Sequence, residues 1–142
     1  MKTPAVILAL ALASASLSAG AVEQEHEEAI ADAVEAAEAW LGLLDKSDFG
    51  HSWETAAVLF RNAVTEDQWQ QKITAARTPM GKVVFRKLEM SKYETTLPGA
   101  PDGEYVVLQF KTHFENKMNA VETVVPMMDP DGRWRVSGYY IK

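Results

Sequence analysis

Three histidines are the side chains in this sequence best suited to binding a metal or moving a proton near neutral pH, and their placement serves neither purpose. His26, His51 and His113 are scattered, with no pair at a metal-ligand spacing. His26 lies among Glu25, Glu27 and Glu28, but consecutive positions on a helix point around its axis rather than toward one centre. With no cysteine and no paired histidine, a zinc site is not expected. Asp129-Pro130-Asp131-Gly132 has the acidic opening of a calcium loop, yet the later ligands and the distal glutamate are missing, so it reads as a hairpin turn. Nucleophilic catalysis has no support either. There is no Gly-x-Ser-x-Gly, and Ser47, Ser52, Ser91 and Ser137 lack a recognisable base partner. Paired-carboxylate hydrolysis would need acids on a shared pocket face, whereas Glu104, Glu115 and Glu122 are expected on the opposite face or at strand ends. No catalytic residue, metal ligand or cofactor is expected.

The elements that position these residues begin after an export signal. Lys2 supplies a positive start, Ala5–Leu12 is an unbroken apolar run, and small residues follow to Ala21. The run is shorter than the ~20 residues of a membrane span. Ala19-Gly20-Ala21 fits a cleavage site, with Ala13-Ser14-Ala15 a second candidate. The expected division is therefore a signal over 1–21 and one domain over 22–142, periplasmic or secreted, with no membrane anchor after cleavage. A mature chain of about 120 residues is long enough for a sizeable core, which must stabilise the fold without disulfides. The net charge of −6 is concentrated early. Between Val22 and Gly50 the only base is Lys46, against Glu23, Glu25, Glu27, Glu28, Asp32, Glu35, Glu38, Asp45 and Asp48. Such a chain is a poor match for nucleic acid or an anionic membrane.

Helical spacing of Ile30, Ala33, Val34, Ala37, Leu41 and Leu44 predicts a first helix from about Glu25 to Leu44. A short second helix is expected over His51–Phe60, and a third after the capping box Thr65-Glu66-Asp67-Gln68, ending at Pro79-Met80-Gly81. Four strands follow, at about Lys82–Thr95, Glu104–Phe114, Met118–Met128 and Arg133–Ile141. The fold class is α+β, with three N-terminal helices packed on a curved four-stranded antiparallel meander.

Turn placement then sets a register. With Asn116-Lys117 as the loop residues, Lys111 faces Glu122 and Phe110 faces Thr123; a four-residue loop at Asp129–Gly132 puts Val136 opposite Val125 and Gly138 opposite Thr123. One face then holds Val106, Leu108, Phe110, Phe114, Val121, Val125, Met127, Trp134 and Val136, and the other Lys111, His113, Glu122, Arg133, Arg135 and Tyr139.

The sequence of elements, with Asp48-Phe49 in the first turn, Trp53 in the short helix and Asp131-Gly132-Arg133-Trp134-Arg135-Val136 at the last hairpin, resembles the nuclear-transport-factor-two-like (cystatin-like) fold. More closely, the chain resembles a bacterial family known as domain of unknown function 4019, from about Ala36 to Lys142. The most specific segments are Arg77–Val83, Leu97–Tyr105, Phe114–Lys117 and Gly132–Ile141. The resemblance implies an exported single domain whose curved sheet wraps the helices into a cone with an open cavity. It implies no activity, so no catalytic residue carries over.

Two readings of function follow. The first is a binding module for a small apolar or amphipathic ligand in the cone, lined by Phe110, Thr112, Thr123, Gly138 and Tyr140 with Trp53 and Trp69. The second is a protein–protein module, a monomer or weak homodimer, using the outer sheet face through Lys111, His113, Glu122, Arg135 and Tyr139. An open cone of roughly 300 Å³ or more favours the first and a filled cone the second. An acid or histidine inside the cone would point instead to an enzyme.

Overall fold

The computed structural model describes residues 13–142. The positive start and the apolar run Ala5–Leu12 lie outside the described residues. The remainder of the expected leader is helical and continuous with α1, Ala13–Asp45. Then come α2 (Phe49–Glu54), α3 (Val58–Ala63), α4 (Glu66–Arg77), one 3-10 turn at Thr78–Met80, and the strands β1 (Val83–Glu94), β2 (Tyr105–Phe114), β3 (Lys117–Met128) and β4 (Trp134–Ile141). The strands form a single antiparallel sheet in the order β1-β2-β3-β4. The helices pack on one face of this open sheet, giving the α+β architecture expected. Among the described residues no helix is long and apolar enough to cross a membrane.

α1 lies on the sheet through Ala33, Ala37, Trp40, Leu41 and Leu44, all buried and all on one helical face. Its carboxylates Glu27, Glu28, Glu35 and Glu38 are exposed. α4 starts at a capping box: Gln68 N donates to the Thr65 hydroxyl at 3.2 Å, and Thr65 N donates to Gln68 Oε1 at 3.0 Å. Trp69, Ile73 and Arg77, four residues apart, form its buried face. The expected helix over His51–Phe60 is instead two short helices. Ala57 N–H leaves the helical ladder to bond Val136 O at 2.8 Å, and the Thr55 hydroxyl folds back on His51 O at 2.8 Å. That break ties the helical layer to β4.

The strand boundaries are close to those expected, but the register is not. The β2–β3 loop is Glu115-Asn116 rather than Asn116-Lys117, because Phe114 pairs with Lys117. An extra residue then enters β3 before Ala120 pairs with Thr112, and Asn119 takes a left-handed φ of 67° there. Lys111 consequently faces Val121, and Phe110 faces Glu122. The last hairpin is offset by one residue from the expected register: Asp129 N bonds Arg133 O at 2.8 Å, and Met128 pairs with Trp134 rather than Arg133. A bulge at Ser137, beside Pro126, sets Gly138 opposite Val125. Pro126 has no N–H for the ladder, so an inner strand can hold it only at such an irregularity. Val121, Thr123, Val125 and Met127 therefore share the outer face, and Ala120, Glu122, Val124 and Pro126 the inner one.

Gly132 closes the last turn with φ +81° and donates its N–H to Asp129 O at 2.9 Å. Gly132→Val should cost about 1 kcal/mol or more in urea unfolding, because a β-branched residue is strained in the left-handed region. A change within ~0.5 kcal/mol would place the strain elsewhere.

Candidate functional site

The corrected register brings an acid inside. Glu122 is fully buried on β3 and is reached from three other strands. Arg86 Nε of β1 donates to Oε1 at 2.9 Å, and the Thr112 hydroxyl of β2 donates to the same oxygen at 2.5 Å. The Tyr139 hydroxyl of β4 donates to Oε2. Arg77 of α4 sets Nη1 3.9 Å from Oε2 and gives its Nη2 to Asp45 Oδ1 of α1 at 2.9 Å. Arg86 completes the group with a two-pronged bond to Asp45, at 2.7 and 2.9 Å. Two guanidinium groups and two carboxylates thus balance.

Electrostatics follows the geometry. Burial alone would raise the pKa of Asp45, but hydrogen bonds from Arg86 and Arg77 outweigh it and hold the carboxyl below 3.8. Burial would likewise lower Arg86, yet its bonds to Asp45 and Glu122 raise it. Burial, reinforced by the Glu122 charge, pushes the Tyr139 phenol up, so it stays a donor. Arg77 is the least satisfied member: its Nε and Nη1 have no hydrogen-bond partner, and its guanidinium lies 4.9 Å from the centre of the Phe114 ring.

Beside this network the cone is filled. Trp40 lies 5.8 Å from Trp69 and 5.5 Å from Tyr139, while Phe60 meets Trp69 edge-on at 4.8 Å. The indoles are pinned: Trp40 Nε1 donates to Ser52 O at 2.8 Å, and Trp69 Nε1 to the Ser52 hydroxyl at 2.9 Å. Ser52 passes that hydroxyl on to Phe49 O at 2.6 Å. Trp53, half-buried, donates to Val64 O at 2.8 Å.

The residues expected to line one pocket are divided by this arrangement. Phe110 and Thr112 point inward and are buried, Phe110 in the core and Thr112 on Glu122. Thr123, Gly138 and Tyr140 are on the outer face, with Tyr140 67% exposed. Of the expected interaction face, Lys111 and His113 remain outside. Arg135 is tied to Asp129 and Asp131 by hydrogen bonds of 2.7–2.9 Å. Glu122 and Tyr139 move from that face to the interior, Glu122 through the one-residue shift in β3 and Tyr139 through the bulge at Ser137. Sequence reasoning missed Arg86, Arg77 and Asp45 as its partners. Its one available signal was a lone acid within the otherwise uncharged run Ala120–Met128.

Open space lies along the margin of the sheet. A groove of about 530 Å³ runs along β4, with Val125, Gly138 and Tyr140 on one side, Phe60, Val64 and Trp69 of the helical layer on another, and Leu97–Ala100 with Tyr105 beyond. Among the described residues Lys72 is the one charged side chain lining it. A second space of about 530 Å³, between α1, α2 and the start of β4, is bordered by His51, Glu54, Arg133 and Arg135. A recess of about 400 Å³ adjoins Asp45 and Arg77, and a smaller one of about 300 Å³ is lined by Thr123, Gln109 and Tyr140. Among these four spaces the β4 groove combines the most aromatic side chains with few charged ones, the composition of a ligand site. No group of three or more His, Cys, Asp or Glu among the described residues could hold a metal ion. Glu122 has the inward position that acid–base chemistry would use, but no face open to a substrate, because both oxygens are engaged and the residue is wholly covered.

A search against protein families matches residues 36–139 to the family described as "Protein of unknown function (DUF4019)". No curated protein and no solved structure matches.

Two measurements probe the buried network. Glu122→Ala should destabilise the protein by about 3–5 kcal/mol, because it strands Arg86 and Arg77, whereas Thr123→Val beside it should stay within ~0.5 kcal/mol. Comparable losses in urea melts would contradict the register. Because the Asp45 pKa is depressed on folding, its contribution is complete above the unfolded value of 3.8 and is lost as pH falls through the lower folded value. Asp45→Asn should be less stable at neutral pH and should show a flatter loss on acidification below that value. An unchanged acid limb would remove Asp45 from the network.

Proposed function

The chain belongs to the DUF4019 family, whose function is unknown, and we propose that it is an exported binding module whose ligand lies along β4 rather than inside the cone. The carrying observation is the contrast between a filled interior and the open groove of about 530 Å³ over Gly138, bounded by Phe60, Trp69, Tyr105 and Tyr140. That volume falls in the range of small-molecule sites. The walls suit an apolar or amphipathic ligand, with one cationic contact at Lys72. Gly138 keeps the floor low. A Cβ there would meet Tyr140 at 3.5 Å and Val125 at 3.8 Å, ordinary contact distances, so a methyl group fits and a longer side chain would occupy the groove.

Export rests on residues 1–21 of the sequence. Removal of these residues would leave α1 starting at Val22, ahead of its buried positions from Ala33 onward. Material recovered from the periplasm or medium should begin at Val22 on N-terminal sequencing; a retained Met1 would overturn export and location together.

The groove is tested with the neutral dye N-phenyl-1-naphthylamine, whose fluorescence rises on entering an apolar site. Gly138→Ala should bind it like the parent, and Gly138→Leu should weaken it at least about tenfold with an intact circular dichroism spectrum. Equal dye binding by both variants would exclude this groove.

A further inference from the structure

The two edges of the sheet are treated differently. β1 is guarded: it bulges at Val84 and at Glu89, and it carries Arg86, Lys87, Glu89, Lys92 and Glu94. Bulges and charges of this kind oppose pairing with another strand. β4 has no charged residue from Val136 to Ile141. Among the described residues the helical layer bonds one of its outward main-chain groups, the Val136 carbonyl, through Ala57 N–H at 2.8 Å.

The ladder identifies which groups remain. Val121 and Lys142 exchange both of their backbone bonds, at 2.8 and 3.1 Å. Alternation in an antiparallel pair then turns Lys142, Tyr140 and Gly138 toward β3, and turns the N–H and C=O of Tyr139 and Ile141 outward. No backbone partner for these outward groups occurs among the described residues. The free run from Ser137 to Lys142 is about 20 Å long at roughly 3.4 Å per residue. It borders the groove already described.

We propose that β4 receives an extended peptide segment of a partner protein as a fifth strand. Its main chain pairs with Tyr139 and Ile141, alternate apolar side chains enter the groove over Gly138, and an acidic side chain or terminal carboxylate meets Lys72. This inference rests on the groove reading and names its ligand class. A free small molecule would use the walls but leave the main-chain donors and acceptors unmatched, whereas a peptide in β conformation matches both. The single charge on the walls selects an acidic segment. Walls on both sides, from Leu97–Ala100 and from α3–α4, admit one chain more readily than the sheet edge of a second copy with its own helices.

The test uses the fluorescein-labelled hexapeptide Thr-Val-Thr-Phe-Thr-Glu and two derivatives, N-methylated on one or the other alternate set of residues, in fluorescence anisotropy with the full exported chain. Pairing predicts saturable binding, at least tenfold weaker for one methylated set and within about twofold for the other, since alternate amides point to opposite sides of a strand. Lys72→Glu should weaken the parent peptide at least tenfold and its C-terminal amide Gln analogue much less. Equal effects of the two methylated sets overturn strand pairing. Dye binding without peptide binding overturns this inference and leaves the groove reading standing; absence of both removes the two together. A peptide-sensitive dimer in analytical ultracentrifugation would make a second copy the occupant and overturn the partner peptide.

Discussion

A carboxylate wholly removed from water is the constraint on which the rest of this structure depends. An unpaired charge in such a position would be prohibitively costly, and even a paired one is a doubtful source of net stability. Glu122 is accommodated because Arg86, Thr112 and Tyr139 converge on it, and because Arg77 and Asp45 close the charge balance. These groups come from α1, α4 and all four strands. Their positions cannot be changed one at a time. The Arg86 guanidinium is the common member, bonded to both carboxylates, while Arg77 spans the gap with two donor nitrogens, Nε and Nη1, left over and a phenyl ring beneath. The same network specifies register. β3 is apolar on both faces, with Val121, Val125 and Met127 outside and Ala120, Val124 and Pro126 inside. Sliding it by one residue would bury a comparable apolar set, so burial alone discriminates weakly between the two pairings. The slip would also carry Glu122 out of reach of Arg86 and Thr112, and those donors would be left without their acceptor.

This reasoning explains what the sequence left illegible. The order of elements, the Thr65 cap, the Gly132 turn and the burial of Trp40 and Trp69 all rest on local signals, and these were readable. Register rests on a one-residue choice in each turn. Nothing short-range separates Glu115-Asn116 from Asn116-Lys117 as the β2–β3 loop, and Asn119 accepts a left-handed conformation that no glycine marked. An apparent Lys111–Glu122 pair on the surface was a plausible but weak attraction. The actual partners of Glu122 include Arg86, thirty-six residues away, and a separation of that size leaves no pattern in a single chain. The break between α2 and α3 was hidden for a similar reason, since its cause is a bond from Ala57 to β4. The candidate site inherits the same shift: Gly138 and Tyr140 border the β4 groove, whereas Phe110 and Thr112 are buried on the other side of the sheet.

Filling the cone changes where function can reside. Trp40, Trp69, Phe60 and Tyr139 occupy the volume that the fold resemblance would leave open, and Ser52 fixes both indoles through its carbonyl and hydroxyl. The aromatic layer serves two surfaces. Its inner side packs against the sheet, while Phe60 and Trp69 also present edges to the β4 groove. That wall is rigid, because Trp69 is held by its bond to the Ser52 hydroxyl and Phe60 packs edge-on against Trp69. Rigidity of that kind reduces the ordering cost of binding.

An open sheet edge is a hazard, and its retention over β4 therefore calls for a reason. The helical layer is close enough to have covered it, since Ala57 already reaches Val136. Beyond that contact the strand diverges through the Ser137 bulge, where the Ser137 hydroxyl turns back to Val125 O at 2.8 Å instead of facing a neighbour. A bulge commonly re-aims a strand at the rim of a sheet. Here the outward main-chain groups of Tyr139 and Ile141 have no backbone partner among the described residues, while Tyr139 still reaches Glu122 with its hydroxyl. The side chain is thus anchored in the most constrained part of the molecule and its main chain is exposed at the margin. Pairing at that margin would bear directly on the strand that supplies one of the Glu122 donors. The buried network and the open edge meet in a single residue.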